Sequence, residues 1–188
     1  MDTIQALQER VSIGVLGAPA PSREDIDTLL KAAVRAPDHG VLRPWRFLVL
    51  TGEQLHQLGD VFVKAALQEN PELTPEEQEK ARTRPLRAPC IIVVVSENTL
   101  NHNIPVLDQV LAAGAAAQNI LVAAYALGIG AMWRTGAMAT HPYVKQQLGF
   151  EAKDDIVGFI YLGTPAGSIK NIPPTNPQDY IREFPVQG

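Results

Sequence analysis

Two scarcities narrow the reading of this chain. It holds a single cysteine, Cys90, so no internal disulfide can form. Cys90 also has no second thiol or histidine close by, so it supplies no metal-ligand spacing. Placed in the apolar run Cys90-Ile91-Ile92-Val93-Val94-Val95, it reads as a buried, inert thiol in a reducing compartment. Charge of one sign is equally scarce: 16 Lys and Arg stand against 20 Asp and Glu, a formal charge of -4 with no long block of either sign. A nucleic-acid partner is not expected, because gripping a phosphate backbone needs a basic face.

Other absences concern targeting and chemistry. The opening Met1-Asp2-Thr3-Ile4-Gln5 has neither a cationic region nor a following apolar stretch, so no secretory signal is visible and a cytoplasmic location is expected. The longest apolar segment, Val106 to Leu127, is interrupted by Asp108, Gln109, Gln118 and Asn119, with alanine and glycine in its middle. It reads as a buried helix, not a membrane span. There is no Gly-x-Ser-x-Gly elbow, Walker-type phosphate loop, His-Glu-x-x-His pair or cysteine cluster, so no nucleophile and no metal site can be argued from spacing. Gly128-Ile129-Gly130 lacks a third glycine and follows a helix, which excludes the usual dinucleotide fingerprint. The chemistry is left to a bound cofactor.

What remains is a sequence of 188 residues, 46% hydrophobic, able to bury one core as a single domain over 1–188. Asp2 and Gln5 suggest a capping box that opens a first helix, with Ile4, Leu7 and Val11 as its buried stripe. Ser22 and Asp25 open a second, in which Ile26, Leu29, Leu30 and Ala33 repeat at helical spacing until Pro37 forbids continuation near Arg35. Arg46–Thr51 reads as a strand, and a helix with Leu55, Leu58, Phe62 and Ala65 on one face follows. Thr74, Pro75 and Glu77 start a short polar helix whose Glu and Lys content fits exposure. Cys90–Val95, apolar at every position, reads as a central strand covered on both faces. Gly128 terminates the Ala-rich helix, Ile129–Trp133 and Ile156–Leu162 supply two more strands, and Pro142–Leu148 a helix between them. The Pro-, Asn- and Gln-rich stretch from Thr164 to Gly188 reads as a tail lying across a surface.

Four segments, in order, resemble the nitroreductase family, most closely its short branch of NAD(P)H nitroreductases. They are Arg10-Val11-Ser12; Arg35-Ala36-Pro37-Asp38-His39 running into Arg43-Pro44-Trp45-Arg46-Phe47; Ala126-Leu127-Gly128-Ile129-Gly130 followed by Trp133-Arg134-Thr135-Gly136; and Gly158-Phe159-Ile160-Tyr161-Leu162-Gly163-Thr164-Pro165. Each is weak alone; their joint order is specific. The resemblance implies an α+β fold with a mixed central sheet, flanking helices and a long buried core helix. It also implies an intertwined homodimer with flavin mononucleotide (FMN) at the subunit interface and NADH or NADPH as co-substrate.

Arg10 and Ser12 would then hold the FMN phosphate and ribityl chain, a role suited to a guanidinium that makes paired charge-assisted hydrogen bonds. Val11 stands where relatives commonly carry a basic or polar residue, so one flavin contact expected from a side chain is missing or becomes a backbone contact. Arg43 stands where glutamine is common. Arg35 and His39 would reach the flavin from the partner subunit, while Trp133, Arg134, Thr135 and Gly136 would line its other side, with the Gly136 N–H near flavin N5.

Without the resemblance, blander roles compete: Arg10 complementing a helix end, Trp45 and Trp133 packing, Asp38 capping a turn. The resulting expectation is an oxidoreductase that moves hydride in two steps to nitroaromatic or quinone-type acceptors. The alternatives are a related flavoenzyme acting as a dehalogenase, a flavin-fragmenting enzyme or an oxidiser of cyclic dipeptides, and a flavin-free dimeric small-molecule binding protein.

Overall fold

The structure is a computed structural model that describes residues 2–167 and 173–184. Its centre is β3 (Cys90–Ser96), flanked by β2 (Trp45–Thr51) and β5 (Asp155–Pro165), with β4 (Gly130–Arg134) and the two-residue β1 (Leu16–Gly17) both paired to β5. Cys90 to Val95 have no exposed surface, as expected of a strand covered on both faces. Alternate side chains of β3 enter two different cores. Cys90, Ile92 and Val94 face one side with Ile160 and Leu162 of β5; Ile91, Val93 and Val95 face the other with Phe159 and Tyr161. Every pairing is antiparallel. The parallel component implied by a mixed sheet is therefore absent among the described residues, because each strand returns against the one beside it.

The first face is covered by α2 (Arg23–Ala33) and α5 (Val106–Ala126), the second by α3 (Glu53–Glu69), α6 (Ala137–Thr140) and α7 (Pro142–Gln147). Local chemistry starts and stops these helices as the sequence suggests. The Ser22 hydroxyl accepts the Asp25 N–H at 3.1 Å while the Asp25 carboxylate accepts the Ser22 N–H at 2.9 Å. Thr74 and Glu77 make the same reciprocal box at the start of α4 (Pro75–Arg82), where Pro75 occupies a position whose missing N–H costs nothing. Gly128, at φ 73°, ends α5 in the left-handed region. Fully buried side chains such as Leu29 and Ile120 each contribute roughly 1.5–3 kcal/mol to holding the layers together.

Two expectations about the first helix need correction. In α1 (Thr3–Glu9), Asp2 accepts the Gln5 N–H at 2.8 Å, but the Gln5 amide turns to Glu9 at 3.0 Å, so the box is only half made. The stripe of Ile4, Leu7 and Val11 is not buried: Ile4 is 62% and Leu7 52% exposed, Val11 lies beyond the helix end, and the helix buries only Ala6. Among the described residues, no element buries Ile4 or Leu7. Helix α5, long and apolar enough to cross a membrane by length and composition, buries one face through Ala112, Ala113, Ala116 and Ala117. It leaves Leu107 and Leu111 at 66% and 61% exposure. Of the expected tail, residues 173–184 are exposed, with Tyr180 and Phe184 at 76% and 88%, and residues 168–172 and 185–188 lie outside the described residues.

Candidate functional site

The residues singled out by the sequence fall into three places. The first is the exit of α1. Arg10 closes the helix by donating its N–H to the Ala6 carbonyl at 3.2 Å and then turns the chain to extended geometry. Arg10 and Val11 are half-buried and Ser12 is exposed. The Ile13 N–H meets the Ala131 carbonyl at 2.9 Å, which fastens this segment along β4.

The second place is the end of β4 and the turn into α6. Trp133 donates its indole N–H to the Val157 carbonyl at 3.1 Å, and its ring lies over Gly158, where any side chain would collide with it. The opposite face of the strand carries Arg134. Its guanidinium carbon stands 5.5 Å from the centre of the Tyr161 ring, and its Nε is buried with no hydrogen-bond partner among the described residues. Thr135 and Gly136 are exposed. Gly136 adopts φ 76° and ψ -168°, a conformation that glycine reaches without steric penalty. Its carbonyl accepts the Ala139 N–H at 3.0 Å, while no acceptor among the described residues takes its own N–H.

This second place opens into a hollow of about 490 Å³ whose walls include Lys80, Arg84, Arg87, Arg134, Tyr161 and Gly136, and no acidic residue. Burial pushes the Tyr161 hydroxyl above its ordinary pKa, and the nearby charges of Arg134, Arg87 and Arg84 partly offset that rise. Lys80, Arg84 and Arg87 did not emerge from the sequence as site residues, because α4 reads as a solvated polar helix. Their spacing of four and three was the available signal, and it has meaning only once β4 is seen beside them.

The third place lies along α2 and α5. Arg35 is exposed just beyond α2 and borders a second hollow, of about 440 Å³, between α1 and α5. His39 sits in a single tight turn after Pro37, and its Nδ1 lies 2.9 Å from the Asp108 carboxylate of α5. Asp38 takes the turn role expected of it: its carboxylate accepts the Arg43 N–H at 2.7 Å, steadying Arg43 at φ 51°. Trp45 packs in the core at 9% exposure. The first and second places adjoin through β4, while Arg35 and His39 border hollows separate from each other and from the one beside Trp133 and Gly136.

Comparison with known proteins bears directly on this arrangement. The model of the nitroreductase family matches residues 7–164. "Putative NAD(P)H nitroreductase YdjA" of Escherichia coli (strain K12) is 38% identical over 180 residues, covering 94% of this chain and 97% of the relative. A "Putative NAD(P)H nitroreductase" of Haemophilus influenzae is 34% identical over 165 residues, covering 87% and 89%. Among solved structures, a nitroreductase-like family protein from Bacillus cereus superposes with a TM-score of 0.83 at 23% identity, covering 98% of this chain and 96% of that one. A nitroreductase-type protein from Desulfovibrio desulfuricans, solved in complex with FMN, superposes with a TM-score of 0.72 at 26% identity, covering 100% and 99%. A family match over most of the length, with two relatives above 30% identity across nearly all of both chains, decides the matter: the chain belongs to the nitroreductase family.

Proposed function

We propose that this chain is an FMN-dependent NAD(P)H oxidoreductase that works as a homodimer. The observation that carries the reading is the end of β4, where, among the described residues, the buried Arg134 Nε has no partner and the Gly136 N–H has no acceptor beside an open hollow. A buried donor with no acceptor is costly, by about 1–3 kcal/mol, unless something else accepts from it. The carbonyl and ring-nitrogen acceptors of an isoalloxazine suit that donor set.

In this reading Trp133, Arg134, Thr135 and Gly136 hold and orient the ring, and Arg10 with Ser12 and the Val11 backbone hold the phosphate and ribityl chain. A second copy of the chain brings Arg35 and His39 to the same ring, which would explain why one copy leaves them in separate hollows. Asp108 keeps the His39 ring directed by accepting from Nδ1 when that nitrogen carries the proton. FMN would supply the hydride chemistry that no side chain here can, taking hydride from NAD(P)H and then yielding it to a nitroaromatic or quinone-type acceptor in a two-step cycle. The protein contributes binding, orientation and exclusion of water, with no acid or base of its own required. The absence of a nucleophile or metal spacing in the sequence agrees with that division of labour.

The test is the colour and the kinetics of the purified protein. It should be yellow or reconstitute with FMN, and it should oxidise NADH or NADPH with a quinone acceptor, giving parallel double-reciprocal lines. A colourless protein that cannot be loaded with FMN refutes the proposal.

A further inference from the structure

Within α4 and the turn after it, cations are treated in two ways. Arg82 is neutralised, with Asp60 at 3.1 Å and Glu79 at 3.0 Å. Lys80, Arg84 and Arg87, which border the hollow below Gly136, have no carboxylate within ion-pair distance and no side-chain hydrogen bond among the described residues. Arg134 adds a fourth positive charge to the same lining. In a chain of net charge -4, with acids abundant enough to silence Arg82, four unneutralised cations around one cavity form a local field of single sign. Such a field raises the local concentration of anions and speeds their arrival.

Two sources of anion compete for this place: the phosphate of a resident cofactor, and the phosphates of a compound that comes and goes. Exposure separates them. Lys80, Arg84 and Arg87 are all exposed, and the segment that would take the cofactor phosphate, Arg10 to Ser12, does not border this hollow. A set of exposed, solvated cations suits an anion that must leave each cycle. Three guanidiniums and an ammonium together suit a pair of phosphates better than one carboxylate.

We infer that Lys80, Arg84 and Arg87, with Arg134 behind them, form a pyrophosphate-binding subsite for the exchanging nicotinamide dinucleotide, placed so that the nicotinamide end extends toward Gly136. The assignment of the exchanging compound rests on the oxidoreductase reading above; the anion site itself does not. No bond is made or broken there.

Calorimetric titration with inorganic pyrophosphate, which needs no flavin, tests the site in wild type, in the Lys80→Gln/Arg84→Gln double variant and in Arg82→Gln. Wild type and Arg82→Gln should bind alike, and the double variant should bind at least about tenfold more weakly. In flavin-loaded protein the double variant should keep its FMN absorbance while KM for NADH and NADPH rises by about the same factor. Absence of pyrophosphate binding by wild type, or equal binding by the double variant, overturns the proposal. So does parallel loss of FMN, which would give the cluster to the resident cofactor. A colourless wild type that still binds pyrophosphate through Lys80 and Arg84 would remove the flavin reading and leave the anion subsite standing.

Discussion

The Ile13 N–H and the Ala131 carbonyl, 2.9 Å apart, join the exit of α1 to the edge of β4. That single bond sets the segment holding Arg10 and Ser12 beside the strand that ends in Trp133 and Arg134. The two parts of the proposed flavin site are therefore built on adjoining backbone, although well over a hundred residues of sequence separate them.

The first prediction concerns Arg10. It is half-buried where Arg23, at the start of α2, is exposed, and only Arg10 is proposed to meet a phosphate. Loss of a charge-assisted hydrogen bond costs about 1.5–3 kcal/mol, so Arg10→Ala should weaken FMN binding by roughly ten- to a hundredfold. Arg23→Ala should leave it unchanged. Flavin absorbance per protomer after dialysis compares the two, and equal content in both variants would reject the phosphate assignment.

The second concerns α5. Leu107 and Leu111 are exposed on the same helix whose Asp108 meets His39, and a partner chain that completes the site there would cover them. Aspartate at position 107 lies in the first helical turn, where a negative charge is favourable, so the helix itself should tolerate the change. Leu107→Asp/Leu111→Asp should weaken self-association by at least about tenfold and lower flavin retention with it. Sedimentation as a function of concentration reads this directly. A double variant that stays dimeric would place the interface elsewhere.

Much of the fold was legible because its signals are local. Both reciprocal capping boxes, the wholly apolar β3 and the glycine stop after α5 each depend on residues within a few positions of one another. What was not legible depends on distant partners. β1 is only two residues long and exists because Leu16 and Gly17 meet Pro165 and Thr164; its own sequence carries no alternation. The four-residue α6 offers no period to read. Ile4 and Leu7 follow a helical stripe that signals burial, yet periodicity cannot say whether the covering surface belongs to the same chain. The cationic rim was missed for the same reason: Lys80 and Arg84 acquire meaning only from Arg134 and Tyr161, brought near by the β4–β5 pairing.

The third prediction tests how Trp133 is held. A side-chain carbon on Gly158 would stand 2.6 Å from the Trp133 Cδ1 and 3.1 Å from the Arg134 carbonyl oxygen. Neither can yield easily, since the indole N–H is tied to Val157 and the carbonyl belongs to a paired strand. Gly158→Ala should therefore destabilise the fold by about 1–3 kcal/mol, the usual cost of overpacking, and shift Trp133 fluorescence. Urea unfolding gives the first and emission spectra the second. An unchanged midpoint would mean that β4 moves freely against β5.

The last prediction uses Cys90, whose thiol burial pushes up from the ordinary 9.0 to about 11. Below pH 9.0 the thiol is un-ionised whether the chain is folded or not, so its burial contributes in full. As pH rises past 9.0 the unfolded chain gives up this proton while the folded chain keeps it until about 11. Unfolding thus releases a proton in that window, and stability should fall by about 1.4 kcal/mol per pH unit on account of this group. The slope is isolated as the difference between wild type and Cys90→Ala in urea midpoints taken from pH 9.0 to about 11. The same burial should keep the native thiol silent toward a thiol reagent until denaturant is added. A pH-independent difference, together with rapid labelling of the native protein, would show that the β3 core admits water.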